Sequence, residues 1–350
     1  MLVFMKRFIK ILKFSLRAVF FSVMFQAMKE KISIRQMSKD IGICPATISR
    51  AMNHPELVKD ETRKLVFDYL EVNGGAPKQQ QRTPKKVIGL TFSDPSSLFT
   101  SSLIDVLETQ LVKTEYQLML FNLQKRRDVY EYFREHVDYL KKVDGLIISS
   151  STLSEQGSRF LDQMGIPVAL FHSSCPGEYC VLTNNFKGGQ ECAQYLMNRG
   201  YRNPAVVVWE PSDEHVMDRV QGFRSVFPVP DERIVSGRLS AEGGYEATEK
   251  LMKSADPPDA VFYSCDAMAA GGFRYMLERK ISVPDDVGIM GFDNLPISEL
   301  MGITTMSQFL ESEVHMVISY LLDRLRFSDT EHLSDEISIS PKLIVRSSTK

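Results

Sequence analysis

The 350 residues (39.8 kDa) give room for two or three compact domains and exclude a small disulfide-stapled scaffold. Hydrophobic residues at 43% and charged residues at 25% exclude a disordered chain, and five cysteines without a CxxC pair argue for a reducing compartment and against a structural zinc site. The formal net charge of -2 averages unlike parts: residues 1–27 carry five bases and no acid, residues 28–86 twelve bases against seven acids, and the remainder 25 bases against 37 acids. A small basic front on a large acidic body suits a front that meets a polyanion.

The first 27 residues are apolar, but Lys10, Lys13 and Arg17 interrupt the run and leave only Ala18 to Met28 uncharged. That is short of the ~20 apolar residues a spanning helix needs. The charges are spread through the stretch and Phe25-Gln26-Ala27 is a poor cleavage site, which disfavours a secretory signal. Met28-Lys29-Glu30-Lys31 reads as a native start, making residues 1–27 a misassigned leader, with an amphipathic membrane-surface helix as the second reading.

From Ile32 the pattern changes to short helices. Ile34, Met37 and Ile41 recur at helical spacing and Gly42 stops the helix. Pro45 suits the first turn of a second helix, Pro45 to Asn53, with Ile48 and Met52 facing inward. A third helix is expected over Val58 to Val72, with Leu65, Val66, Tyr69 and Leu70 inside. Two short helices meeting at a Gly-containing turn are the arrangement of a helix-turn-helix, whose second helix can enter the major groove. Arg50 can fork onto guanine, Thr47 and Ser49 can donate to phosphate oxygens, and Asn53 can do either.

These residues, Gly42-Ile43 through Ala46-Thr47-Ile48-Ser49-Arg50-Ala51-Met52-Asn53 and then Val58 and Thr62-Arg63, resemble the headpiece of the LacI/GalR family of bacterial transcription repressors. The family pattern reads roughly Ala-Gly-Val-Ser-x-Ala-Thr-Val-Ser-Arg-x-Leu-Asn. The resemblance implies base-edge contacts from Pro45, Ala46 and Arg50, and backbone contacts from Thr47, Ser49 and Asn53. The family's hinge helix, Pro-Asn-x-x-Ala-Arg-x-Leu, corresponds to Pro77-Lys78-Gln79-Gln80-Gln81-Arg82-Thr83-Pro84. Arg82 is kept, but proline replaces the leucine that wedges the minor groove, so the hinge-helix insertion is expected to be absent or altered. A flexible basic linker of Lys78, Arg82, Lys85 and Lys86 touching phosphates is expected in its place.

From Lys86 short apolar runs alternate with helical stretches, the mark of parallel βα units. Strands read at Val87–Phe92, Gln117–Phe121, Gly145–Ile148, Val168–Phe171, Ala205–Val208, Ala260–Tyr263 and Val287–Gly291. No GxGxxG or Walker loop opens a helix, so no nucleotide cofactor is expected. Val143-Asp144-Gly145, Gly188-Gly189, Arg219-x-x-Gly222-Phe223, Asp266-x-Met268-Ala269, Gly291-Phe292-Asp293-Asn294 and Leu343-Ile344-Val345-Arg346 again resemble the family, whose core is similar to periplasmic sugar-binding proteins.

The expected fold is therefore α/β: a three-helix headpiece (28–73), a linker (74–86) and a two-lobed periplasmic-binding-protein-like body (87–350). The resemblance implies effector contacts from Arg219 and Asp293, which suit hydroxyl-rich ligands, and from Phe99, Ser149, His172 and Cys265. Ser93 and Asp213 fall at strand ends by the same alignment, Asn184 stands where Asp is usual and Cys265 where Asn is usual. The implied protein is a cytoplasmic, dimeric, ligand-responsive regulator. Its partners are a palindromic DNA operator and a small-molecule effector, a sugar or related polyol, with no membrane. No paired nucleophile and base or metal-ligand cluster points to an enzyme. The rival reading is an exported solute-binding protein.

Overall fold

The computed structural model describes residues 34–53, 58–72, 86–124, 128–209, 213–327 and 335–350. The proposed leader, and the linker from Pro77 to Pro84 with its expected loss of the hinge helix, lie outside the described residues. The chain divides into two compact units, residues 1–83 and 84–350.

In the first unit three helices, α1 (Ile34–Ile41), α2 (Pro45–Asn53) and α3 (Asp60–Val72), enclose Met37, Ile48, Ala51 and Val66, with Ile41, Ile43, Met52, Val58 and Tyr69 packed around them. Gly42 ends α1 in the left-handed region (φ 70°), where glycine has no side-chain penalty, and its amide donates to the Ser38 carbonyl at 3.1 Å. The Tyr69 hydroxyl donates to the Asp40 carboxylate, tying α3 to α1. Leu65, expected inside, is 48% exposed, and Ile34 is 37% exposed. Ile34 begins its helix beyond the end of so small a core, and Leu65 lies one helical step, about 100°, from buried Val66.

The second unit has two lobes. Lobe 1 is built from β1 (Val87–Phe92), α4 (Leu98–Leu111), β2 (Gln117–Asn122), α5 (Val129–Glu135), α6 (Val137–Leu140), β3 (Gly145–Ser149), α7 (Glu155–Gln163), β4 (Val168–Phe171) and β5 (Cys180–Thr183). Lobe 2 follows with α8 (Asn185–Asn198), β6 (Pro204–Val208), α9 (Glu214–Val226), β7 (Ile234–Ser236), α10 (Ala241–Met252), β8 (Ala260–Tyr263), α11 (Asp266–Arg279), β9 (Gly288–Met290), α12 (Pro296–Leu300) and β10 (Thr305–Ser307). The chain then returns through α13 (Leu310–Arg326) and β11 (Glu336–Ile339) to lobe 1 and ends with β12 (Lys342–Ile344) beside β10. The sheets are parallel, in order β11-β5-β4-β3-β1-β2 and β7-β6-β8-β9.

Both faces of each sheet are covered, which is why central strands read as continuous apolar runs. In β1, Ile88 and Leu90 pack with α4 and α13, while Gly89 on the other face lies where a Cβ would meet Phe121 and Leu146 at 2.6 Å. Lys86, expected to touch phosphates, is paired here with Glu115 beside β2. No helix among the described residues is long and apolar enough to cross a membrane. The lobes are joined by three crossings, β5 to α8, β10 to α13 and β11 to β12. Polar residues at these crossings and at nearby strand ends form the second site described below.

Candidate functional site

In the headpiece, α2 presents two adjacent rows at i, i+4 spacing: Pro45 with Ser49, and Ala46 with Arg50. Pro45, Ala46 and Arg50 are exposed and Ser49 is half-buried, whereas Ile48 and Ala51 on the opposite face are fully buried. The core thus turns the expected base-reading side chains outward. Thr47 is half-buried and its hydroxyl lies 3.0 Å from Cys44 Sγ at the helix start. Asn53 closes α2, but its side chain, like Arg82 entirely, lies outside the described residues.

The second site lies between the lobes, at the carboxyl ends of strands, where open α/β sheets bind ligands. Arg219 projects from α9 and is 4% exposed. Its Nε donates to Asn185 Oδ1 at 2.7 Å, Nη1 donates to the Ser264 carbonyl, and the guanidinium lies 3.8 Å from the Phe292 ring centroid. Nη1 is also 3.5 Å from Asp293 Oδ1, and Gln308 Nε2 donates to the same oxygen at 2.6 Å. Burial pushes the Asp293 carboxyl up to about 8 against the opposing pull of Arg219.

The position of Arg219 depends on a close helix crossing. A Cβ on Gly189 of α8 would fall 2.0 Å from the Arg219 carbonyl oxygen, and one on Gly222 of α9 would fall 2.0 Å from that of Phe186. Only glycine permits this approach, which gives the Gly188-Gly189 and Arg219-x-x-Gly222 landmarks a packing reason.

On the lobe 1 side His172 follows β4, is 9% exposed and stacks on Phe171 and Phe99 at centroid distances of 4.1 and 5.4 Å. Its Nε2 lies 2.9 Å from Glu313 Oε2 and 3.1 Å from Thr183 Oγ1. The Thr183 hydroxyl lies 2.9 Å from both Gln308 Oε1 and Glu313 Oε1, and its one proton serves one of them at a time. Ser149 ends β3 in register with Phe171 and is buried. A continuous polar chain thus runs from Glu313 and His172 through Thr183 and Gln308 to Asp293 and Arg219.

The structure therefore brings Phe99 to His172, and Arg219 to Asp293. Cys265 is buried at the start of α11, near enough to Asp293 for the carboxylate to add to the burial that raises its thiol. Three other strand-end residues have local partners. Asp213 caps α9 through the Val216 amide at 3.2 Å, Asn184 caps α8 through the Lys187 amide at 2.9 Å, and Ser93 Oγ lies 3.4 Å from Ser151 Oγ. Asp266 is fully buried, accepting from the Leu295 amide at 2.7 Å and the Thr305 hydroxyl at 2.6 Å, and so braces the turn that carries Asp293.

Sequence reading missed Thr183, Asn185, His215, Gln308 and Glu313 as site residues. For the first two a signal exists: three polar residues, Thr183-Asn184-Asn185, follow directly on an apolar run. The contacts of His215 and Glu313 come from elements far apart in the chain.

Residues 193–349 match the model of the periplasmic binding protein-like domain family. Over 333 residues, covering 91% of this chain and 98% of the relative, the chain is 25% identical to the HTH-type transcriptional repressor PurR of Actinobacillus pleuropneumoniae. The PurR of Mannheimia succiniciproducens is 26% identical over 334 residues, again 91% and 98% of the two chains. Among solved structures, a LacI family transcriptional regulator from Enterococcus faecium with bound ribose is 29% identical with a TM-score of 0.66, covering 75% of this chain and 98% of that one. A homologue from Enterococcus faecalis, also with bound ribose, is 27% identical with a TM-score of 0.65, covering 75% and 98%. With an outward-facing second headpiece helix, a two-lobed α/β body and regulators as relatives along nine-tenths of its length, the chain is similar to LacI family transcriptional regulators.

Proposed function

We propose that this chain is a ligand-responsive, DNA-binding transcriptional regulator, a repressor that binds a palindromic operator as a homodimer and takes a sugar between its lobes. The observation that carries the reading is the pairing of buried Arg219 and Asp293 between two α/β lobes, in a chain whose first unit presents Arg50 on an exposed helix face. An arginine fork donates and a carboxyl accepts, the complement of neighbouring hydroxyls. Ribose in the two enterococcal structures supports a sugar effector.

The proposed DNA contacts are Pro45, Ala46, Thr47, Ser49, Arg50, Asn53 and Arg82; the proposed effector contacts are Phe99, Ser149, His172, Arg219, Cys265 and Asp293. A chain starting at Met28, with a headpiece to residue 73 and a linker to residue 86, completes the reading, and its place is the cytoplasm. Effector binding favours one arrangement of the lobes and thereby alters operator affinity; DNA must alter effector affinity by the same factor. The regulator relatives are not enzymes, and they align along the headpiece as well as the body, which disfavours an exported solute-binding protein.

The test has two arms. Thermal-shift screening of sugars on the protein is expected to find one that raises its apparent stability, since a ligand that binds only the folded state does so. Binding to DNA fragments from the organism's own upstream regions is expected to be sequence-selective and altered by that sugar. Absence of selective DNA binding would sink the regulator reading.

A further inference from the structure

Asn185 and His215 connect Arg219 to the contact between the lobes. Asn185 is buried at the start of α8, and its Oδ1 must face Arg219 Nε because that nitrogen can only donate. Its Nδ2 is thereby fixed toward the Thr183 carbonyl at 3.1 Å and His215 Nδ1 at 3.4 Å. His215, in the first turn of α9, places Nε2 3.0 Å from the His172 carbonyl of lobe 1. A carbonyl only accepts, so Nε2 carries the proton and Nδ1 is a bare lone pair, the acceptor that the Asn185 amide requires. Both contacts select the same neutral tautomer.

We propose that Asn185 and His215 are positioning residues for Arg219: they hold its guanidinium in the effector site and tie that placement to the His172 carbonyl across the lobes, and acid releases the tie. This deepens the effector-site reading above and rests on it. Protonation moves a proton from solvent onto Nδ1 and sets an N–H against the donating amide of Asn185, so one of the two must turn away.

Among the described residues, the charged and titratable groups around His215 are His172 on lobe 1, with Glu313 behind it; Asp213 and Arg219 on its own helix; and Asp293 beyond Arg219. Burial, His172 and Arg219 hold His215 below the usual 6.5, while Asp213 opposes them. The tie is therefore intact at neutral pH.

The reporter is built in. The chain has one tryptophan, and the Arg219 guanidinium lies 5.6 Å from the ring centroid of Trp209. Emission of the full chain is titrated from pH 8 to 5 without effector or DNA. The expected wild-type result is a transition with a midpoint below 6.5. His215→Gln, which offers one donor and one acceptor but does not titrate, keeps the neutral emission and loses the component of the transition that falls below 6.5 and belongs to His215. His215→Ala and Asn185→Ala show the acid-like emission at every pH. Asp293 and Asp266 also titrate in this range, so the deciding quantity is the difference from wild type: a His215→Gln curve that superimposes on the wild-type curve overturns the proposal, as does wild-type emission from folded His215→Ala; should the alanine variants not fold, His215→Gln decides alone. The same emission is then followed while D-ribose is added. Ribose that binds wild type is expected to bind His215→Ala ~10-fold more weakly, about 1.4 kcal/mol, and His215→Gln nearly as well as wild type. Equal affinity in all three overturns the positioning role. A chain that passes the pH test and ignores ribose instead overturns ribose as effector and leaves the positioning role standing.

Discussion

Arg219 Nη1 lies 3.5 Å from Asp293 Oδ1, with both side chains almost wholly withdrawn from solvent (5% and 6% exposed). Burial outweighs the pairing at the carboxyl, which rises rather than falls, with Asp266 adding to the rise. The pair stores polar capacity in a dry place between the lobes, at some cost to the ligand-free protein.

That cost has a sign in pH. Asp293 sits at about 8 when folded and near 3.8 otherwise, so between those values the folded chain keeps a proton that the unfolded chain has released. Stability then falls as pH rises, by up to ~1.4 kcal/mol per unit for one full proton. Asp266, raised to about 6, acts in the same direction at lower pH, while His215, held below 6.5, acts in the opposite direction, so Asp293 is read as the difference between wild type and Asp293→Asn from pH 6.5 to 8. Urea melts should show a shallower pH slope in Asp293→Asn over that window, and the variant should lose at least ~10-fold affinity for the sugar found by thermal shift. An unchanged slope would show that Asp293 is ionised in the folded protein.

Arg50→Ala should weaken operator binding by ~1–3 kcal/mol, the worth of a bidentate arginine contact to a base. Arg50 is exposed, so the melting temperature should not move. Fluorescence anisotropy on operator and unrelated DNA separates a base contact, which discriminates, from a phosphate contact, which weakens both equally.

Gly189→Ala should destabilise the body by ~1–3 kcal/mol, the usual cost of overpacking, because its methyl would press on the Arg219 carbonyl oxygen. Denaturant unfolding measures the loss. Sugar affinity should fall as well, since the helix that must shift carries Arg219.

Among the described residues the headpiece core has four fully buried side chains. Removing one large member, Ile48→Ala, should cost ~2–5 kcal/mol and unfold so small a unit. Loss of operator binding is expected with unchanged Trp209 emission, since Trp209 lies in the other unit.

Local chemistry determined much of this protein from the sequence alone. Gly42 and Pro45 set the ends of α1 and α2, and the 3.6-residue period placed Ile48 inward and Arg50 outward. Continuous apolar runs marked seven strands; for the central ones the reason is that a strand covered on both faces has no polar side to show. The strands left unread, Cys180–Thr183, Ile234–Ser236, Thr305–Ser307, Glu336–Ile339 and Lys342–Ile344, each contain at least one polar residue, so no continuous apolar run fills them. Resemblance supplied Arg219 and Asp293, but tertiary structure decided what surrounds them. Residues from β5, α8, α9, the crossing before α13 and α13 itself meet there although up to 141 positions separate partners, as with His172 and Glu313. Sequence spacing reports neighbours along one helix or strand. It carries no signal for side chains that meet only because three crossings of the chain converge between two lobes, and those side chains hold the site.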